Sequence, residues 1–471
     1  MTVNPLAPSW LAHPDDANEL PASVWSRNAS RTVAGELQVA GVTASALAEK
    51  YGTPLYVVDE ADVRSRALGA REAFDREFAR VGASAKVYYA GKAFLSTEIA
   101  RWVTEAGLYI DVSSGGEFAV ALAAGVSPAL LGFHGNNKSL AEIDRAVRDG
   151  VGVIVIDSEI EIERVADAAA RHSRVQPVRL RLNSGVHAHT HEYLATARED
   201  QKFGITIADA PEAVAAIRSH DSLAFLGLHS HIGSQIFESD GFVESASRLL
   251  ALHASLLAGG PIPELNLGGG FGIAYTTADD AMPVPEIAAQ FADIVASECA
   301  RLGIPIPVVA VEPGRSIVGP STFTLYEVGT IKDVEVSLDE GSAVRKYVSI
   351  DGGISDNIRP ALYAADYSAR IASRRSDADA ALVRVAGKHC ESGDIVVLAE
   401  YLPGDVAPGD LLAVPATGAY CWAMASNYNY LARPAVVAVA DGAARVIVRG
   451  ETEADLLSRD AGIRANLNGA P

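Results

Sequence analysis

Cysteine is scarce in this sequence, with three residues in a chain of 471. Cys299, Cys390 and Cys421 are too few, and odd in number, for a disulfide framework, which indicates a reducing compartment. Long hydrophobic runs are also missing, since no stretch supplies the roughly 18 uninterrupted apolar residues of a membrane span. The N-terminal residues lack a basic patch followed by an apolar run, as a secretory signal would have. We therefore expect a cytoplasmic protein without a membrane partner.

Basic residues are fewer than acidic ones, with 39 Lys and Arg against 59 Asp and Glu and a formal net charge of −20. A surface of this sign repels phosphate backbones, so nucleic acid is not an expected partner. Apolar residues make up 49% of the chain and charged residues 21%, which is typical of globular proteins with a full core. This composition excludes a fibrous or wholly disordered chain.

Short apolar runs alternate with stretches of helical period from residue 54 to about 320, a pattern typical of βα units. The eight runs are 86–90, 108–112, 129–135, 151–157, 177–183, 223–233, 264–272 and 307–314. They predict eight parallel strands that close into a (β/α)₈ barrel. Beyond this part, short strands and turns predict a C-terminal antiparallel β-sandwich or β-barrel domain.

These patterns divide the chain into three parts. Residues 1–57 are predicted to be an irregular leader with one or more strands that join the β domain, and residues 37–39 and 54–58 are the candidates for such strands. Residues 58–319 are predicted to form the barrel, and residues 320–471 the C-terminal β domain.

Reactive side chains collect at the C-terminal ends of the predicted barrel strands, where such barrels build active sites. They are Lys92, Asp111, His134, Asn183, His229, His231, the glycines at 268–270, Glu312 and Arg315. Lys92 follows a nearly all-apolar strand, where partial desolvation would favour imine formation. The alternative is a lysine whose amine simply extends into solvent.

Two successive strand ends are suited to an anion. Residues 268–272, GGGFG, allow backbone N–H groups to approach a ligand closely, although the spacing is not that of a dinucleotide fingerprint. Glu312, Pro313, Gly314 and Arg315 combine a carboxylate, a turn and a guanidinium. These are strands seven and eight in our count, after which barrels often bind phosphate. The alternatives are a flexible turn and a turn with a salt bridge.

Two histidine groups have spacings that a metal could use. His229 and His231 share one face of a strand, and His187, His189 and His191 also alternate. No third zinc-type ligand is evident near the first pair, so we favour stacking of an imidazole on a flat ligand. For the second group we favour a loop over the barrel mouth. We expect no metal site.

Three further motifs lie in the predicted β domain. Cys390 and Glu391 stand side by side in a turn-forming stretch, as expected of a proton donor beside a cation-binding group, although a lone cysteine is more often inert. Arg359 and Tyr363 are four residues apart, on one face if the segment is helical, and either could hold a carboxylate. Tyr420 is the aromatic residue expected to contact a ligand.

In this order, the motifs resemble those of the fold-type III pyridoxal-phosphate enzymes, which join an alanine-racemase-like barrel to a β domain, and among them the diaminopimelate decarboxylases. The resemblance extends from about residue 37 to residue 434 and rests on YAGKA, HIGSQ, GGGFG, EPGR, DGGISDNIRPALY, CESGD and GAY with SNYN. It implies pyridoxal 5′-phosphate as cofactor. It also implies decarboxylation of meso-2,6-diaminopimelate to L-lysine and CO₂, the last step of lysine biosynthesis.

The resemblance also implies roles for individual residues. Lys92 would bind the cofactor covalently, His231 would stack on its ring, and Glu312 would pair with the ring nitrogen. The other cofactor contacts would come from Asp111, Ser234, Gly270, Pro313, Gly314, Arg315 and Tyr420. Substrate contacts would come from Arg315, Arg359, Tyr363, Glu391 and Tyr420. Lys92 and Cys390 would be catalytic, and Cys390 and Glu391 would act in the partner subunit's site of a homodimer.

Other activities are compatible with the same fold. Decarboxylation of D-lysine, ornithine, arginine or carboxynorspermidine is one alternative, but ornithine and arginine offer no second carboxylate for Arg359. A racemase would be expected to keep a catalytic tyrosine opposite the lysine. A non-catalytic cofactor-binding relative would tend to lose Lys92 or Cys390, and both are present.

Overall fold

The structure is a computed structural model that describes residues 4–186, 202–238, 240–339 and 341–463. The chain divides into two compact units. The β unit comprises the described residues of Met1–Glu60, Tyr275–Ala278 and Ser321–Pro471, and the barrel unit comprises those of Ala61–Ala274 and Asp279–Pro320. No helix in the described ranges is long and apolar enough to cross a membrane.

The N-terminal part of the β unit has short elements. They are β1 (Ala29–Arg31), β2 (Leu37–Val39), β3 (Val42–Thr43), α1 (Ala44–Tyr51) and β4 (Leu55–Asp59). The first three strands form a small antiparallel sheet. Helix α1 begins where the Thr43 hydroxyl accepts a hydrogen bond from the Ala46 N–H, and it ends at Gly52, whose φ of +75° favours glycine.

The leader before β1 is more than a surface segment, because Trp25 is only 2% exposed. Leu6 and Leu11 pack against a cluster that includes Leu382 and Tyr401 of the same unit. Apolar side chains in an otherwise polar leader therefore attach it to the β unit.

The barrel unit contains nine strands among its described residues. They are β5 (Ala85–Ala90), β6 (Tyr109–Val112), β7 (Leu131–Phe133), β8 (Val153–Ile156), β9 (Gln176–Asn183), β10 (Ile205–Thr206), β11 (Leu223–His229), β12 (Glu264–Asn266) and β13 (Val308–Val311). Eight of them are parallel in the order β9-β11-β12-β13-β5-β6-β7-β8, and β8 pairs back to β9. The predicted eight-stranded barrel is confirmed. Runs such as Val153–Ile156 are buried throughout, as expected of parallel strands covered on both faces.

Helices cover the barrel strands. They are α2 (Glu60–Arg80), α3 (Thr97–Glu105), α4 (Gly115–Ala123), α5 (Leu140–Asp149), α6 (Glu159–Arg171), α7 (Ala210–Ser219), α8 (Asp240–Leu256), α9 (Val284–Leu302) and α10 (Arg315–Val318). Ser139 and Glu142 form a capping box at the start of α5, which ends at Gly150 in the left-handed conformation. Local sequence signals therefore define the ends of this helix.

The C-terminal part of the β unit is mostly sheet. Its elements are β14 (Thr322–Ser337), β15 (Ser342–Ile350), α11 (Arg359–Tyr363), β16 (Arg370–Ile371), β17 (Ala380–Ala386), β18 (Ile395–Pro403), β19 (Leu411–Pro415), β20 (Ala435–Ala440), β21 (Ala443–Val448) and α12 (Glu453–Leu457). The main strand order is β18-β17-β15-β14-β4-β20-β21, and β19 pairs with β14 and β16. The predicted β domain is confirmed, and its pairs are antiparallel except for β15 with β17 and β4 with β20.

Candidate active site

Lys92 lies in a 3₁₀ turn, Gly91–Ala93, directly after β5. A Cβ on Gly91 would lie 2.7 Å from the backbone oxygen of Asp111, so glycine is required for the turn to lie against β6. The turn leaves the Lys92 side chain exposed rather than desolvated, which differs from the expectation for a residue at a strand end. An exposed amine is accessible to a carbonyl compound, as imine formation requires.

The turn that carries Lys92 packs against the EPGR segment. Ala90 N–H donates to the carbonyl of Pro313 at 3.0 Å. A Cβ on Gly314 would lie 2.9 Å from the Cβ of Ala90, so this approach also requires glycine. Two motifs far apart in the sequence are thus in direct backbone contact.

The glycine-rich loop packs against the HIGSQ segment. Ile236 N–H donates to the carbonyl of Gly270 at 2.9 Å. Gly270 has a φ of +106°, and a Cβ there would lie 2.2 Å from the carbonyl oxygen of Gly233. Only glycine meets both requirements.

His231 and Ser234 of the HIGSQ segment have well-defined partners. Gly269 N–H donates to His231 Nδ1 at 3.2 Å, which fixes the ring orientation and leaves the proton on Nε2. Arg315 donates through Nη2 to the Ser234 hydroxyl at 2.7 Å. The HIGSQ segment, which carries the predicted stacking histidine, is therefore held by the glycine-rich loop through His231 and by the EPGR segment through Ser234.

A cluster of four buried ionisable side chains surrounds the end of β13. We call Asp111, His134, His229 and Glu312 the carboxylate–histidine cluster. Glu312 Oε1 accepts a hydrogen bond from Asn266 Nδ2 at 2.7 Å and lies 3.0 Å from His229 Nε2. His134 Nε2 lies 3.0 Å from Asp111 Oδ1 and 3.6 Å from Glu312 Oε1.

The charges in the carboxylate–histidine cluster follow from burial and neighbours. Burial lowers the pKa of His229 to about 4 and that of His134 to about 3, so both rings are neutral at neutral pH. Burial opposes ionisation of Glu312, but His229, whose neutral ring can donate a hydrogen bond to Oε1, outweighs burial and holds the Glu312 pKa well below its ordinary value. Burial and the charge of Glu312 raise the pKa of Asp111 well above its ordinary value. Glu312 is therefore the charged carboxylate.

Among the described residues, one group has the make-up of a metal site, since ligand atoms of His134, His229 and Glu312 lie within 4.8 Å of one another. It coincides with the carboxylate–histidine cluster. The absence of a metal stays a prediction. His187, His189 and His191 lie outside the described residues.

Arg359, at the start of α11, is 3% exposed. Its guanidinium lies 4.5 Å from the ring centroid of Tyr275 and 5.5 Å from that of Tyr367, and it donates to the Tyr367 hydroxyl. No carboxylate in the described part of the chain forms an ion pair with it. Tyr363, at the other end of α11, is half-buried. Arg359 is thus a buried, rigidly held cation that no carboxylate of the described residues neutralises.

Cys390 and Glu391 are both exposed. Cys390 N–H donates to the Asn429 side-chain oxygen at 3.1 Å, and the Tyr428 hydroxyl lies 3.5 Å from Glu391 Oε2. The CESGD and SNYN motifs are therefore in contact within the β unit.

Asp394 organises the turn that presents Cys390. Its Oδ2 accepts the His389 N–H at 2.8 Å and lies 3.0 Å from His389 Nδ1, and its Oδ1 accepts the Ile354 N–H at 2.7 Å.

The half-buried Tyr420 has a φ of +65°, a conformation that bulky residues rarely adopt and that concentrates at functional sites.

Comparison with known proteins agrees with this geometry. Residues 61–319 match the family described as pyridoxal-dependent decarboxylase, pyridoxal binding domain, and the chain belongs to this family and within it to the diaminopimelate decarboxylases. The diaminopimelate decarboxylase of Mycobacterium leprae is 52% identical over 97% of this chain and 96% of its own length. That of Mycobacterium tuberculosis H37Rv is 51% identical over 93% of this chain and 98% of its own.

A solved structure is similar over most of the chain. The diaminopimelate decarboxylase of M. jannaschii, in co-complex with L-lysine, superposes with a TM-score of 0.84 at 30% identity and covers 92% of this chain and 98% of its own. The fold is therefore that of the family in both units.

The residues present fit pyridoxal phosphate, the cofactor that the family implies. A buried carboxylate kept ionised, Glu312, can pair with a protonated ring nitrogen. The face of His231 is fixed by Gly269, and Ser234 and Arg315 offer donors for a phosphate. Lys92 offers the exposed amine.

Several side chains that contact the predicted site residues have no role that the sequence predicts. The sequence marks His134 only as a reactive side chain at a strand end, and it predicts no role for Asn266, Tyr275, Tyr367 or Asp394. Their contacts form only in the folded chain, for example between Asn266 and Glu312 or between Tyr275 and Arg359, so no local pattern marks them.

Proposed function

We propose that this chain decarboxylates meso-2,6-diaminopimelate to L-lysine and CO₂ with pyridoxal 5′-phosphate, the last step of lysine biosynthesis. The observation that carries the choice of substrate is the buried Arg359, which has no carboxylate partner among the described residues. A cation in this state stabilises binding of a second carboxylate, remote from the one that is lost. Ornithine, arginine and D-lysine lack this second carboxylate.

In this proposal Lys92 binds the cofactor covalently, His231 stacks on its ring, and Glu312 pairs with its ring nitrogen. Bound pyridoxal phosphate supplies an electron sink for the electron pair left when CO₂ departs. Asp111 lies near Lys92, and Ser234, Gly270, Pro313, Gly314, Arg315 and Tyr420 complete the cofactor contacts.

Substrate recognition uses opposite charges at the two ends of the molecule. Arg359, with Arg315, Tyr363 and Tyr420, holds carboxylate groups, and Glu391 faces the remote ammonium group. Charges placed away from the reacting carbon orient the bond that breaks.

The proton that replaces CO₂ comes from Cys390 in this proposal. The S–H bond breaks, and the proton goes to the carbon that lost CO₂. Cys390 and Glu391 act in the partner subunit's site, so the active form is a homodimer. We place the enzyme in the cytoplasm, where thiols stay reduced.

The test is incubation of the holoenzyme with meso-diaminopimelate, following CO₂ and lysine, with D-lysine, ornithine, arginine and carboxynorspermidine in parallel. We expect lysine and CO₂ from meso-diaminopimelate, lost in Lys92→Ala and kept in Lys50→Ala, a change at an exposed lysine in α1. Turnover of another amine alone would overturn the choice of substrate. No turnover by a cofactor-loaded enzyme would favour a non-catalytic relative.

A further inference from the structure

We propose that His134 is a positioning residue whose Nε2 accepts a hydrogen bond from a protonated Asp111, so that the proton stays on Asp111 and Glu312 is the one charged carboxylate of the carboxylate–histidine cluster. The inference rests on the proposed function at one point, namely that Glu312 pairs with the ring nitrogen of the cofactor. Two buried carboxylates so near one another cannot both carry a charge at low cost. One histidine lies between them, and its position decides which of the two keeps the proton.

The hydrogen bonds around the two carboxylates are unequal. Glu312 receives the Asn266 amide hydrogen, and no N–H or O–H of the described residues is aimed at either oxygen of Asp111. An ionised Asp111, 5% exposed, would therefore lack donors, whereas a protonated one can donate its own hydrogen to His134 Nε2 at 3.0 Å.

The charged groups that act on Asp111 besides its cluster partners are Arg179 and Lys92, which both favour its ionisation. Arg179 already pairs with Glu264 at 2.7 Å, and among the described residues neither Arg179 nor Lys92 forms an ion pair with Asp111. Burial and the charge of Glu312 outweigh both cations, so the pKa of Asp111 is raised.

The backbone keeps Asp111 in place. A Cβ on residue 132 would lie 2.6 Å from Asp111 Oδ1, so Gly132 leaves the space that this oxygen occupies. His134 follows in the same segment, and its own N–H donates to the carbonyl of Val112 at 2.8 Å. The strands β6 and β7 thus place the carboxyl group and the imidazole at hydrogen-bonding distance through their pairing.

The step that this arrangement controls is the ionisation of Glu312. If His134 did not hold the Asp111 proton, that proton could pass to Glu312, which would lose the charge that it needs to pair with a protonated ring nitrogen. His134 therefore acts through Asp111 and Glu312 and need not touch the substrate.

The test is infrared difference spectroscopy of the holoenzyme at neutral pH, which detects the carbonyl stretch of a protonated carboxylic acid. We expect such a band in the wild type and its loss in Asp111→Asn. In His134→Phe, which keeps a ring but removes Nε2, the Asp111 band should move to higher frequency and lose intensity, because the hydrogen bond is lost and part of the protons pass to Glu312. His134→Gln, which can accept through its amide oxygen, should restore it.

Cofactor affinity provides a second readout. We expect His134→Phe to weaken cofactor binding, followed by absorbance, roughly tenfold or more, with recovery in His134→Gln. A band unchanged in Asp111→Asn, or one that disappears only in Glu312→Gln, would overturn the proposal. If His134→Phe does not fold, the spectra of Asp111→Asn and His134→Gln still decide.

The proposed function can fail separately from this inference. The band locates the proton whichever amine is decarboxylated. A wild type that converts meso-diaminopimelate while Glu312 carries the proton would contradict only the inference. A proton on Asp111 in an enzyme that converts another amine would contradict only the choice of substrate.

Discussion

Arg359 illustrates how a single residue can carry specificity. Its guanidinium is stacked beside Tyr275 and bonded to Tyr367, so its position is fixed before any ligand arrives. The stacked, planar group is also one that lysine cannot reproduce.

We therefore expect Arg359→Lys to raise KM for meso-diaminopimelate about 30-fold or more, with a smaller change in kcat, because binding of a remote carboxylate is lost. Steady-state kinetics measures both constants. Arg384→Lys is the matched control, since Arg384 also lies beside a tyrosine ring in the β unit. Equal effects of the two changes would contradict the role of Arg359.

Glu312→Gln keeps the shape of the side chain and removes its charge. We expect kcat to fall about 100-fold or more, because the charge that stabilises a protonated ring nitrogen is lost. Glu98→Gln in α3 is the control, since the partly exposed Glu98 forms an ion pair with Arg101 of the same helix. A Glu312→Gln variant with near wild-type kcat would refute the pairing.

At the residue scale, the sequence could identify side chains with reactive groups but not the partners that set their charge. The residues Lys92, Glu312 and Arg359 stand in motifs that can be read locally. The contacts of Arg359 with Tyr275 and Tyr367, and the place of His134 between two carboxylates, depend on packing that no spacing reveals.

At the scale of elements, two glycines show opposite constraints. Gly69 is exposed in α2 with open space around its Cα, whereas a Cβ on Gly269 would lie 2.0 Å from the backbone oxygen of Glu312. Position 69 therefore tolerates a side chain, whereas position 269 does not.

We expect Gly69→Ala to stabilise the protein by about 0.5–1 kcal/mol, through helix propensity and a less flexible unfolded chain, with activity unchanged. Gly269→Ala should destabilise it by about 1–3 kcal/mol and weaken cofactor binding, because the two loops must separate. Thermal unfolding with and without cofactor measures both. A Gly269→Ala protein with wild-type stability and cofactor affinity would contradict the close approach of the loops.

Helix α8 contains a buried histidine, His253, whose pKa is lowered to about 4 by burial. The folded state prefers the neutral ring, so the unfolded chain binds more protons between about pH 6.5 and 4, and stability falls as the pH drops through this window. Between pH 7 and pH 5, we expect His253→Leu to lose less unfolding free energy than the wild type, by on the order of 1–2 kcal/mol.

The comparison is the difference in unfolding free energy between pH 7 and pH 5 for the wild type and His253→Leu. His220→Leu at the end of α7, where the ring pairs with Glu163 near the surface, is the control. If this pH 7 to pH 5 difference is the same in His253→Leu as in the wild type, other groups cause the acid sensitivity.

The barrel strands could be predicted because parallel strands covered on both faces read as continuous apolar runs. The attachment of the leader could not, because Trp25, Leu6 and Leu11 are isolated apolar residues in a polar stretch and have no periodicity. The parallel pairing of β4 with β20 joins segments from opposite ends of the sequence, which local signals do not report.

At the scale of the whole molecule, the proposed homodimer can be tested by subunit mixing. Lys92→Ala and Cys390→Ala are each expected to be inactive. If Cys390 acts in the partner subunit's site, a hybrid dimer has one site that contains both wild-type residues. Statistical mixing should then restore about a quarter of the wild-type activity. Activity that stays at the level of the separate variants would contradict sharing of sites.

The pairing of β4 has a consequence for biosynthesis. Strand β4 lies between β14 and β20, although about 260 residues separate Asp59 from Thr322. A ribosome that adds 5–20 residues per second needs roughly 15–50 s to make that interval. During this time Leu55–Asp59, an apolar strand, has emerged without its sheet neighbours, while the barrel can already fold. The nascent chain therefore has a period in which a ribosome-associated chaperone, or a non-native strand, can bind this segment.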